Sequence, residues 1–337
     1  MYQVFFSTYI VSIKTMIIRF FKSDQSISII LLPLFALLFW IFGFVHPQVL
    51  DTAGSMPLYN LLIGGIINYK FFSIGIAVLL VIIESFTINH IINNHEILGK
   101  QSYMPALFYI LLMSSSPFHL ALHPGLFANL FLMLAMNQLF NIYRKEISFS
   151  QVFDAGLLIA LASLFYLPSI LLFPLVWIAL IVFRPFIWRE WIIALIGLIV
   201  PYLYLCVYYF WQGSLDHIKE HLGFMVKAEG LNIVKMSGYS YFFIAIIILL
   251  VILSLGNLFA GLTVNNKLKA KNSLILWSWF LLFSLFMFPI YSIKYISFIA
   301  IPLSVFYANY FLQVKKEWWA EFLFLILIIS IVLNQLF

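Results

Sequence analysis

Long apolar runs, broken by short polar stretches, constrain this chain more than any other feature. About eleven can be separated, at 27–45, 71–92, 104–118, 125–142, 152–167, 169–183, 191–211, 239–262, 274–290, 296–312 and 320–336. A bilayer hydrocarbon core about 30 Å thick is crossed by about 20 helical residues. Composition agrees: 64% of the 337 residues are apolar and 9% are charged, where an average soluble domain carries roughly 25% charge. A soluble globule of this size could not hide so much apolar surface, and disorder needs the opposite composition. The expected fold is all-α, a polytopic transmembrane bundle of about 11 spans forming one integral membrane domain over 1–337. Runs 104–118 and 152–167 are short for a full crossing, which implies either tilt or half-helices. Residues 152–183 read equally as one hairpin broken at Leu167-Pro168, because proline disrupts a helix interior.

The net charge of +6 belongs in cytoplasmic loops rather than against a nucleic acid, since Lys and Arg orient spans by the positive-inside rule. With the N-terminus cytoplasmic, all of the 18 Lys and Arg except Lys70, Lys219, Lys227, Lys235 and Lys294 fall on the inner side. Trp188, Trp191, Trp318 and Trp319 then sit at inner boundaries. The expected location is the bacterial inner membrane. Residues 1–26 read as a cytoplasmic or interfacial segment, without a cleavable signal, and Met16 is an alternative start. Two outer loops, 46–70 and 212–238, carry apolar residues at helical spacing and are expected to lie in the interface. The single cysteine, Cys206, excludes an intrachain disulfide and a cysteine zinc site.

Titratable groups able to do acid–base work collect on the outer side: His46, His119, His123, His217, His221, Asp51, Asp216, Glu220 and Glu229. Asp51, in the first outer loop, reads as a general base or as an ordinary turn residue in Asp51-Thr52-Ala53-Gly54. His119 and His123, like His217 and His221, have the i,i+4 spacing of metal ligands on a helix. Pro117 and Pro124 bracket the first pair and argue against a helix there. No metal is assigned. Lys294, followed by Tyr295, suits a lipid phosphate or snorkels to headgroups. Glu84 is the acidic residue deepest within a run. With Asn89 and His90 it forms a polar stretch that reads as an ion path or as a packed polar core. Asn129, Asn137 and Asn141 read as interhelical glue. Arg184, Trp188 and Arg189, at an inner boundary among aromatics, read as a partner-docking patch or a plain membrane anchor.

The order of these features resembles membrane glycosyltransferases of the C-type (GT-C) fold. Those proteins have a cytoplasmic N-terminus, one span, an outer loop with an acidic residue and interfacial helices, then many short spans. The stretch Lys294-Tyr295-Ile296-Ser297-Phe298-Ile299-Ala300-Ile301-Pro302 is similar to that family's late segment. The resemblance implies Asp51 as the loop-one carboxylate and Lys294 as the phosphate-facing cation. It departs in lacking the paired acidic residues of loop one, since Thr52 follows Asp51, and a large soluble C-terminal domain. The chain also looks like multi-pass inner-membrane proteins of Bacteroidetes-type bacteria, a likeness that brings no activity with it.

Three functions follow as expectations. The first is a transferase acting on a polyprenyl-phosphate-linked sugar at the outer face. Its residues would be Asp51, Lys294, Tyr295, His119 and His123, a divalent metal is admitted as cofactor, and the lipid bilayer and polyprenyl-phosphate lipid are the partners. The second is a non-catalytic subunit anchoring an envelope or secretion assembly with other membrane proteins. The third is a transporter or flippase using Glu84.

Overall fold

The apolar runs become helices, and the described residues contain no strand. The computed structural model describes residues 16–23, 26–47, 56–63, 69–213, 238–264, 268–291 and 296–336. In chain order the α-helices are α1 (Met16–Lys22), α2 (Ser26–Val45), α3 (Pro57–Ile63), α4 (Lys70–Asn94), α5 (Met104–Met113), α6 (Pro124–Asn141) and α7 (Phe149–Phe165). They continue as α8 (Pro174–Phe183), α9 (Trp188–Trp211), α10 (Gly238–Val264), α11 (Leu268–Tyr291), α12 (Ile296–Gln313) and α13 (Glu317–Leu336). Short 3-10 turns occupy Pro117–Leu120 and Leu167–Leu172. Six helices, namely α2, α4, α9, α10, α11 and α13, contain stretches long and apolar enough to cross a membrane. This is a multi-pass helical membrane protein. Outward faces such as Ile30, Leu34, Leu38 and Ile41 on α2 are exposed and wholly apolar, a surface suited to lipid rather than water.

Two crossings anticipated from the sequence are broken. The run 104–118 yields only α5, ten residues long, or about 15 Å and half a hydrocarbon core. All ten of its residues are buried, so this half-helix is sheathed by protein. The run at 152–183 breaks where Leu167-Pro168 foretold. Tyr166 is extended, and the backbone tightens into a 3-10 turn before Pro174 restarts a ten-residue helix. Of the two expected interfacial helices, the first loop contains α3, with Tyr59 and Ile63 buried. The second falls at 214–237, outside the described residues.

The core is continuous, and α5 lies within it, packed between α4 and α12. α7 and α9 approach by backbone. A Cβ at Gly156 would sit 2.4 Å from the Ala194 carbonyl oxygen, and one at Gly197 would sit 2.3 Å from that of Phe153. Only hydrogen fits at either site, which is how small residues let membrane helices touch by backbone.

Contacts define two ends. At one, Tyr103 N donates to Phe21 O, Arg184 reaches Glu146 O, and Asn272 donates to Val182 O. By the order of the helices, Arg19, Lys22, Lys100, Arg144, Lys145, Arg189, Lys269, Lys315 and Lys316 fall at helix ends on this side. At the other, Tyr59 meets Leu122 and Ser240 meets Asn334. Among the described residues that end carries one Lys, Lys70, together with His46, His119 and His123.

Candidate functional site

The site starts from a backbone problem. Where α5 stops inside the bundle, its last carbonyls lose their helical partners, and in lipid each unpaired group is costly. Side chains from the far end of α13 take them. Asn334 Nδ2 donates to Ser115 O at 2.6 Å, and Gln335 Nε2 donates to Ser114 O and, at 3.2 Å, to Phe39 O. After the 3-10 turn the chain runs extended through Ala121 to His123. Tyr59 of α3 donates its hydroxyl to Leu122 O at 3.1 Å. Extended geometry at His123 is what a following proline imposes, and Pro124 at the first helical position starts α6.

Two helix N-termini meet there. Gly125, in the first turn of α6, faces the first turn of α12. A Cβ at Gly125 would lie 2.9 Å from Ser297 Oγ and 3.0 Å from His123 Nδ1. The missing side chain thus lets a hydroxyl and an imidazole close tightly on the first turn of α6, at the terminus of each helix. Each such terminus carries roughly half a positive charge and favours an anion. His123 is 9% exposed, and its Nε2 has no hydrogen-bond partner. Burial, aided by neighbouring His119, pushes the His123 imidazole down to about 3. The ring is therefore neutral, and it offers one N–H donor rather than a charge. The His119 ring lies 5.8 Å from that of His123, but the pair sits on a turn and an extended strand of chain, not on one helix face.

A buried polar row continues inward. Asn129, one turn along α6 from Gly125, donates its Nδ2 to Ser297 O and to Tyr109 Oη, both at 3.2 Å. Tyr109 on α5 donates to Glu84 Oε2 on α4 at 2.8 Å. Four helices thus supply one polar row, and Glu84, Asn129 and Tyr109 are all fully buried.

Other sequence candidates lie elsewhere. Asp51, Lys294 and Tyr295 fall outside the described residues, as do His217 and His221. Asn89 and His90 are separate from the Glu84 row. They line a cleft of about 480 Å³ with Asn93, Asn94, Gln101 and Tyr103, toward the cationic end. Arg184 is turned inward, paired with Glu190 at 3.0 Å, whereas Trp188 is exposed with the Arg189 guanidinium stacked on it. Among the described residues no group of three His, Cys, Asp or Glu could hold a metal. The sequence reading missed Tyr109, Ser297, Asn334 and Gln335 as site residues. The Asn334-Gln335 pair closing an apolar run was the available signal for the last two.

On its other face α3 borders an apolar groove of about 390 Å³. Pro57, Leu58 and Leu61 form one wall, and Leu161, Pro201 and Tyr204 stand among the residues opposite. So one short helix contacts both the His123 segment and a lipid-like groove. A family model described as "Family of unknown function (DUF6427)" matches residues 56–337. The chain belongs to that family. No curated protein and no solved structure matches it. The DUF6427 stretch opens at Met56, immediately before α3, and includes the whole polar row and the groove, whereas Asp51 precedes it.

Proposed function

We propose that this protein is a membrane-embedded transferase. Its substrate is a polyprenyl-phosphate-linked sugar or a related envelope glycan precursor, taken at the outer face of the bacterial inner membrane. The observation that carries the reading is the meeting of the α6 and α12 N-termini at Gly125, with Ser297 Oγ and His123 Nδ1 both closed on that glycine. A hydroxyl, a neutral imidazole and two helix N-termini are the kinds of donor a phosphate takes, and the groove beside α3 suits the start of its hydrocarbon tail. The outer assignment rests on charge: the cationic end lies opposite, as the positive-inside rule expects.

In the reaction, an acceptor hydroxyl attacks the anomeric carbon of the sugar. The bond from that carbon to the lipid-phosphate oxygen breaks, and the lipid phosphate leaves with the electron pair. These donors stabilise the departing anion, because fixed donors aimed at developing charge act strongly in a dry site. The acceptor proton passes to a base, the role read for Asp51 from the sequence, with Lys294 as a further phosphate contact.

The test is transfer from a polyprenyl-phosphate sugar by the full chain in proteoliposomes. His123→Ala and Ser297→Ala are expected to lower the rate by about 10²–10³, the usual cost of one lost anion donor. Gly125→Ala is expected to weaken binding of polyprenyl phosphate by displacing Ser297 and His123, and Asp51→Asn to abolish transfer with the fold intact. Neither transfer nor retention of polyprenyl phosphate by the wild type would remove the reading. A subunit role using the exposed Trp188 and Arg189 would then take its place.

A further inference from the structure

The polar row ends in two oxygens with nothing to bind. Glu84 uses Oε2 to accept from Tyr109, and its Oε1 has no hydrogen-bond partner. Asn129 spends its amide nitrogen on Tyr109 and Ser297, which fixes the orientation of the amide. Its Oδ1 also has no partner. Both residues are 0% exposed, so bulk water reaches neither atom. Two buried acceptors therefore belong to groups bonded to one phenol oxygen, and neither receives a donor. The Ser297 carbonyl, already accepting from Asn129 Nδ2, keeps a second lone pair.

We propose that Glu84 Oε1 and Asn129 Oδ1 hold a monovalent metal cation in the middle of the bundle, with Tyr109 positioning both groups. A water, or a proton on the Glu84 carboxyl, is the competing occupant; a cation differs from both in neutralising an ionised carboxylate in a medium where uncompensated charge is expensive, and it alone makes stability depend on sodium. Among the described residues the one ion pair is Arg184–Glu190, and no Lys or Arg of those residues is bridged to Glu84. The site's chemistry favours a single charge on the ion. One carboxylate, one amide oxygen and a carbonyl form an all-oxygen set with one formal negative charge, too little for the carboxylate-rich cages that divalent cations take. The cation would sit about one helical turn inward of Gly125, although its binding does not depend on the transferase reading.

The experiment is thermal unfolding of the full chain in detergent at fixed pH, chloride and ionic strength, with sodium replaced stepwise by choline. The wild-type midpoint is expected to rise with sodium and to saturate. Glu84→Gln, which keeps the shape and can still accept from Tyr109, is expected to lose that rise. Asn129→Asp, which adds a second carboxylate, is expected to shift saturation to lower sodium. Sodium-23 line broadening of the wild type, relieved in Asn129→Leu, reads the same site without the Glu84 variant. A wild-type midpoint equal in the two salts, or an undiminished sodium rise in Glu84→Gln, overturns the proposal. A failed transferase assay with a retained sodium response leaves it standing.

Discussion

Two buried glutamates, Glu84 and Glu190, occupy very different surroundings. Glu190 is 1% exposed. It receives Arg184 Nη1 at 3.0 Å and the Ser148 hydroxyl at 2.8 Å, while Arg184 also donates through Nη2 to Glu146 O at 2.8 Å. Glu84 is 0% exposed and has one phenol for company. The first is a closed structural clasp joining the α6–α7 connection to the start of α9. The second is incompletely satisfied, and it lies at the centre of a row that leads to the meeting of two helix N-termini. A buried polar group without its full set of partners calls for an explanation, a water, a proton or an ion among them.

The sharpest way to break the contrast is to remove one partner of the clasp. Arg184→Met strands a buried carboxylate and is expected to cost about 3–5 kcal/mol, read from the thermal midpoint in detergent. The double variant with Glu190→Met should recover most of that loss. Next, Gln335→Leu strands the Ser114 carbonyl and should cost about 1–3 kcal/mol. A loss larger than that of Arg184→Met would show that the break, not the clasp, holds the fold. Glu84→Gln is expected to cost less than about 1.5 kcal/mol, the net worth of an ordinary hydrogen bond, while changing ligand response. A cost equal to that of Arg184→Met would make Glu84 a structural group like Glu190.

The smallest effect concerns His95, which caps α4 and meets Asn137 Oδ1 at 2.9 Å. Burial lowers its pKa below 6.5, Asn137 opposes that, and Lys269 and His90 add to it. The folded state therefore prefers the neutral ring. Its contribution is complete above about pH 6.5 and is lost as pH falls toward the lowered value. His95→Gln should flatten that acid-side slope in the unfolding midpoint.

Much of this was legible in the sequence for simple physical reasons. Apolar runs must become helices in lipid, and Leu167-Pro168 must interrupt one. Pro117 and Pro124 correctly warned that His119 and His123 would not share a helix face. The row itself was not legible. Glu84, Tyr109, Asn129 and Ser297 stand on four helices, and no spacing rule links residues 168 positions apart such as Asn129 and Ser297. Arg184 looked free because a sequence shows its charge but not Ser148 and Glu190 folding over it. The outer pair Asp51 and Lys294 lies outside the described residues, so its role stays with the proposal.

The Asn334 amide that closes off the end of α5 is made 219 residues after Ser115. During synthesis the half-helix must therefore enter the membrane with bare carbonyls and wait for the final helix. Insertion machinery or neighbouring lipid headgroups would have to shelter that end meanwhile, and ribosomal stalling between the two segments should yield a protease-sensitive intermediate.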